Sequence, residues 1–215
     1  MTKKNDRSIV LFMTKGNDTK LMILEAGLEM GSQVGLEAVS IGALAKAVNM
    51  SKSGLFAHFQ SKENLQNDIL HYAGDLFAQS VVIPALKVEA GTARIEALAE
   101  NWMDWTSQLT GGCIFVRASN EMKDRPGIVR DYLLKQQEAW LEVLRRIAES
   151  AVKVGDFRPD IDCDQFAFEF YSLLLGFNLY HTLLKNEDIR ERQQIAVESL
   201  IQRFSPSDSV NQTNP

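Results

Sequence analysis

The sequence predicts an all-α protein, with a small N-terminal three-helix unit of helix-turn-helix proportions followed by a larger helical body. Three observations carry that expectation. Nearly every segment repeats apolar residues at i, i+3, i+4 and i+7. No alternating run is long enough for a strand. The window from Ala38 to Lys62 holds three lysines and no carboxylate, in a 215-residue chain of net charge −5. Residues 1–75 balance eight Lys/Arg against eight Asp/Glu, so the acidic excess belongs to residues 76–215.

The chain opens on MTKKNDRSIVLFMTKGND. Its apolar run, Ile9 to Met13, is too short for a signal-peptide core, and Lys15 and Lys20 follow it. Residues 1–18 are therefore expected as a disordered basic arm, with Met13 an alternative start. The first helix is expected over Thr19 to Gly31, with Leu21, Leu24 and Leu28 on one face and Gly31 and Gly35 ending it. Ser40 is a good N-cap for the second, where Ile41, Leu44, Ala45 and Val48 make an apolar stripe. Asn49 tolerates left-handed backbone and so turns the chain. Ser51 caps the third helix, with Leu55 and Phe59 inward. Ser61 caps the fourth, which carries Leu65, Ile69, Tyr72 and Leu76 and is expected to stop at Pro84.

Beyond Gly91 the helices lengthen. One is expected over Thr92 to Leu109, broken by Gly111-Gly112, and a shorter one over Ile114 to Met122. Pro126 and Gly155 bracket a long helix containing Val129, Leu133, Trp140, Val143 and Ile147. Asp162 and Gln165 have capping-box spacing ahead of the Phe166 to Leu184 helix. That helix contains Glu169, Asn178 and His181, which makes it a buried core helix in preference to a membrane span. A last helix runs from Asp188 to Phe204, and the polar residues 205–215 are expected to be disordered. Residues 19–66 and 67–204 are thus the two expected domains. Cys113 and Cys163 make no disulfide framework; a reducing cytoplasm and small buried hydrophobes fit them better than redox sensing.

The second of two helices in a helix-turn-helix lays its N-terminal end in the major groove. Here that end is Ser51-Lys52-Ser53-Gly54. Lys52 and Ser53 are placed to reach base edges or phosphates. Gly54 costs about 1 kcal/mol of helix propensity and gains close approach to a partner. Helix starts at Ser40 and Ser61 suit phosphate oxygens, with Lys62 and His58 as further phosphate donors. The bland alternative is a solvated αα-hairpin with a packing glycine.

With ILEAG, GLEAVSI, LAKAVNMS, LFAHF and SKENL in that order, residues 19–70 resemble the DNA-binding domain of the tetracycline-repressor (TetR/AcrR) family. The resemblance implies three helices and the start of a fourth for DNA, then a helical ligand-binding and dimerisation domain. GGCIFVRASNEMKDRPG is similar to second domains in some branches. Asn49 stands where the family usually has glycine, and its conformational tolerance makes it compatible. Phe56 stands where the family usually has a phosphate-binding tyrosine; without the hydroxyl it packs on a sugar edge or faces the core.

The Phe166 to Leu184 helix is apolar nearly all round and must be covered on opposite sides. A second copy of the chain is the simplest cover, with Phe168, Tyr171, Leu175 and Leu179, joined by Ile195 and Leu200 of the last helix, across a two-fold axis. Such symmetry matches a palindromic DNA site. Trp102, Trp105, Phe115, Arg117, Trp140, Phe170, Phe177 and Asn178 form a candidate pocket for a small apolar or aromatic effector, or else ordinary core. No metal, cofactor or catalytic constellation is expected. The function these features favour is a cytoplasmic, effector-released repressor without enzymatic activity. An activator of the same fold, or a helical module that binds protein, is the alternative.

Overall fold

Helix boundaries in the N-terminal third are set by side-chain caps and two left-handed residues. The computed structural model describes residues 15–207, and among them all regular structure is helical. Disorder is expected over 1–18 and 205–215; of these, 1–14 and 208–215 lie outside the described residues, while 15–18 belong to the first helix. α1 (Lys15–Val34) starts four residues before Thr19 and runs straight through Gly31. It stops at Gly35, whose φ of 92° leaves the helical region. A short 3-10 turn, Leu36–Ala38, follows, in a stretch without a helical period of its own.

Ser40 Oγ accepts from Ala43 N at 3.2 Å to open α2 (Ile41–Ala47). Ser51 Oγ accepts from Gly54 N at 3.1 Å to open α3 (Lys52–Phe59). Ser61 Oγ accepts from Asn64 N at 3.0 Å to open α4 (Lys62–Phe77). Asn49 is left-handed at φ 54°, as its place in the turn requires. Gln60, at φ 64°, does the same between α3 and α4, although its type gives no warning.

Pro84 does not end the fourth helix. A π turn, Ala78–Val82, carries it into α5 (Ile83–Leu86), where Pro84 falls in the first turn and its missing N–H is not required. The Val81 carbonyl in the π turn accepts from Asn101 Nδ2 at 3.1 Å.

The body is α6 (Thr92–Gln108), α7 (Ile114–Met122), α8 (Ile128–Val154), α9 (Cys163–Thr182) and α10 (Ile189–Phe204). Pro126 stands two residues ahead of α8, and Gly155 ends it in left-handed conformation, φ 89°. Asp162 Oδ1 caps α9 through Asp164 N and Gln165 N. The Gln165 amide turns to Glu169 instead of reciprocating, so the capping box is half made.

α9 lies between α8 and α10, while α4 packs on α1 at its start and on α8 further along. α4 is therefore shared. Leu65, Gln66 and Ile69 belong to the head, and Phe77 meets the rings of Trp105, Phe115 and Trp140 edge-on at 5.6, 5.9 and 5.0 Å. Phe157, Phe166, Phe170 and Phe204 form a second aromatic cluster. Truncating Phe77 to alanine leaves a ring-sized hole among three aromatics. Phe77→Ala should lower unfolding free energy by about 3–5 kcal/mol, read from a shifted urea midpoint at unchanged slope.

Candidate functional site

α3 is core on one face and open on the other. Leu55 and Phe59 are buried, whereas Ser51, Lys52, Ser53 and Phe56 are exposed, Phe56 by 51%. The core reading of Phe56 is thereby excluded. Ser51 Oγ also lies 3.2 Å from Ser53 Oγ, tying the two hydroxyls at the tip together. A Cβ on Gly54 would stand 3.1 Å from Ser51 Oγ, so glycine keeps the cap uncrowded as well as the surface bare. His58 is half-buried, with its ring 6.1 Å from that of Phe59.

The lysines divide into two kinds. Lys20 is 2.7 Å from Asp68, and Lys62 is 3.1 Å from Glu37 Oε1 while donating to the Glu37 carbonyl at 2.7 Å. Lys62 is thus a strut between α4 and the 3-10 turn, where a free phosphate donor was expected. Lys46 and Lys52 have no carboxylate partner among the described residues. The Lys52 stem folds over Gly42, where a Cβ would stand 3.3 Å from Lys52 Cε. That places an unneutralised ammonium beside the α2 start capped by Ser40, and both features favour an anion.

Head and body meet at the end of α1. A helix leaves its last carbonyls unpaired; here Arg117 Nη1 of α7 donates to the carbonyls of Ser32 at 3.2 Å and Gln33 at 2.9 Å. Glu121, one turn along α7, takes Arg117 Nε on Oε1 at 3.2 Å and the Glu37 backbone N–H on Oε2 at 3.1 Å. Arg125 closes on Glu37 Oε2 at 2.6 Å. Gly111 N donates to Ser32 Oγ at 3.3 Å, and a Cβ at Gly111 would run into the Ser32 carbonyl. Arg117, expected in the pocket, therefore belongs to this joint. Its spacing of four from Glu121 was visible in sequence; its distant carbonyl partners were not.

The body's interior gathers Trp102, Trp105, Phe115, Trp140 and Phe177, all buried. A small cavity of about 10 Å³ remains among Trp102, Phe115, Trp140 and Phe77. Phe77 was not anticipated there, although it continues the Ile69 and Ala73 face of α4. Asn178 Oδ1 accepts from Cys113 N at 3.0 Å, which fixes the start of α7 to α9. Phe177 packs near Trp102 and stacks on His181 at 5.4 Å. Phe170 is a correction: it stacks on Phe166 at 5.7 Å, in the other cluster, because its turn of α9 faces α10.

One stripe of α9 has no cover among the described residues. Phe168, Leu175 and Leu179 are 66%, 37% and 50% exposed, and Ile195 of α10 is 55% exposed. Tyr171 is half-buried, its hydroxyl donating to Gln137 Oε1 at 2.7 Å. Leu200 is a second correction: it is buried in the core, on the α10 face turned to the body. Leu141 of α8, absent from the expectation, joins Phe168 and Leu175 along a groove of about 510 Å³.

Residues 23–69 match the family model described as bacterial regulatory proteins, tetR family, and residues 91–197 match the tetracyclin repressor-like C-terminal domain. The chain is 29% identical over 157 residues to the HTH-type transcriptional repressor KstR2 of Rhodococcus jostii (strain RHA1), covering 72% of this chain and 74% of that protein. Its fold matches a TetR-family regulator from Cytophaga hutchinsonii with a TM-score of 0.80 at 20% identity, over 92% of this chain and 100% of that one. It also matches AibR, solved with isovaleryl coenzyme A and operator DNA, with a TM-score of 0.66 at 23% identity, over 87% and 98%.

The joint has a pH signature. Hydrogen bonds from Lys62 and then Arg125 hold the Glu37 carboxyl below its ordinary 4.5. A depressed carboxylate stabilises the fold above its unfolded pKa and loses that contribution as pH falls through the folded one. Glu37 is half-exposed, so the contribution is small, about 0.5 kcal/mol. Thermal melts of the wild type and Glu37→Gln should differ at pH 7 and converge below pH 4.5.

Proposed function

The chain belongs to the tetR family of bacterial regulatory proteins, which makes it a DNA-binding transcriptional regulator, and from that premise we propose a homodimeric repressor that a small apolar or aromatic molecule releases from its operator. The observation that carries this reading is the α3 tip. Ser51, Lys52, Ser53 and Phe56 are open to solvent, no carboxylate among the described residues neutralises Lys52, and the backbone behind them is locked by serine caps. In this reading Lys52 and the α2 start at Ser40 take phosphates, Ser53 and the bare Gly54 face base edges, and Phe56 lies against sugar. Lys62 and Ser61 hold the frame, and His58 is a peripheral donor.

Residues 19–66 then read DNA and residues 67–204 sense and dimerise, with α4 common to both. The KstR2 relative is named a repressor, and AibR was solved with an acyl thioester and operator DNA together; both support an effector-released repressor here. The effector site is the aromatic cavity. An effector releases DNA only by binding the DNA-incompetent arrangement more tightly. α4 supplies the lever, since Phe77 walls the cavity and Gln66 Nε2, on the same helix, holds the Leu36 carbonyl at 2.7 Å. Phe168, Leu175, Leu179 and Leu141 form the two-fold interface. A cytoplasmic location follows from an operator partner. The cavity wall is aromatic and amide with the Cys113 thiol and the Tyr171 hydroxyl, and carries no paired acid, base or nucleophile constellation among the described residues, which favours sensing.

Selection from a random DNA pool should return a palindrome with half-sites about one helical turn apart. Lys52→Ala should weaken binding to every selected sequence and flatten the logarithmic salt dependence by about one. Lys62→Ala should lower the melting temperature while leaving that slope unchanged. Equal effects of the two on the slope would refute the division between them. In sedimentation, Phe168→Glu with Leu175→Glu should convert dimer to monomer and abolish full-site binding.

A further inference from the structure

Trp140 lines the cavity from α8 and is buried, yet its indole N–H has no acceptor. Trp105 of α6, edge-on to the same Phe77 ring, carries a second buried N–H without an oxygen or nitrogen partner; the Cys113 thiol is its nearest polar company. Buried donors are almost always paired, and an unpaired one is costly. Trp105 thus has the thiol sulfur as a weak acceptor, whereas the Trp140 N–H, at the cavity wall, has none among the described residues and suits an acceptor that a ligand brings. The Gln136 amide also borders the cavity.

The walls say what else such a molecule must be. No Lys, Arg, His, Asp or Glu lines the cavity among the described residues. An anion there would lose its water with nothing to replace it. Burial pushes both the Cys113 thiol and the Tyr171 phenol up, so the two acids at the rim remain neutral as well. The rings meet edge-on, an arrangement that a flat molecule can enter by parting edge from face. Phe77 is the movable wall, because it is the last residue before the π turn, where the helix is already off its regular ladder.

We propose that this cavity takes an uncharged, flat molecule bearing a carbonyl-type oxygen, with the Trp140 indole N–H as the donor that recognises that oxygen. The inference rests on the cavity being the effector site. The cavity's volume is about 10 Å³, so a molecule of this kind enters by displacing Phe77.

Three probes of one shape separate the terms: 2-acetylnaphthalene, its acceptor-free counterpart 2-ethylnaphthalene, and anionic 2-naphthoate. By calorimetry the wild-type protein should bind the ketone about tenfold more tightly than the hydrocarbon, and the naphthoate no better than the hydrocarbon. Trp140→Phe keeps a ring and deletes the N–H; it should bring the ketone preference below about threefold with little change for the hydrocarbon. Equal binding of ketone and hydrocarbon, tighter naphthoate, a preference intact in Trp140→Phe, or no binding of any probe would each overturn the proposal. If Trp140→Phe does not fold, the wild-type comparison of the three probes decides. A gel shift run alongside keeps the two readings apart. Ketone preference with unchanged DNA affinity would sink the effector reading and leave the site's chemistry standing. DNA release by naphthoate and not by the ketone would do the reverse.

Discussion

Glu37 is where the molecule's two halves are tied. Its carboxylate receives Lys62 from α4 and Arg125 from beyond α7, its carbonyl receives Lys62 again, and its backbone N–H goes to Glu121. Each pair is exposed and individually weak. Their force lies in geometry, because they converge on one short 3-10 turn from three directions. The same α7 that supplies Glu121 also neutralises the end of α1 through Arg117. The orientation of the head thus depends on α7 and α4 together, and on Gly111 allowing the backbones to touch.

Both of those elements begin or end at the aromatic cavity. α7 starts beside Cys113 and Phe115, with Cys113 N held by Asn178, while α4 reaches the cavity at Phe77. Cavity and head are joined directly by two helices, α4 through Phe77 and α7 through Phe115. Packed interiors answer a displacement by shifting as units. The electrostatic division follows the same plan. In the head, Lys20 and Lys62 are paired with carboxylates, while Lys46 of α2 and Lys52 of α3 have no such partner among the described residues.

Much of the architecture was legible in local chemistry. Ser40, Ser51 and Ser61 cap as their type dictates, Asn49 turns as its backbone tolerance allows, and the apolar stripes fixed which faces of α2 and α3 are core. The errors share one cause. Pro84 and Gly31 suggest stops by residue type, but Pro84 falls in the first turn of α5, where no N–H is required of it, and α1 continues through Gly31 to Gly35. Leu200 and Phe170 were assigned from composition, without the rotation of their helices relative to the body.

The sequence by itself determined the helical periods, the caps, the acid-free window and therefore the exposed α3 tip, since these depend on residues within a few positions of one another. Tertiary structure alone decided that Lys62 is a strut while Lys52 has no carboxylate partner among the described residues, that Arg117 serves α1 and not the aromatic pocket, and that the Trp140 N–H has no acceptor among them. Those facts depend on partners as many as 85 residues away. A side chain's type states which bonds it can make, and only the packing of distant helices chooses among them.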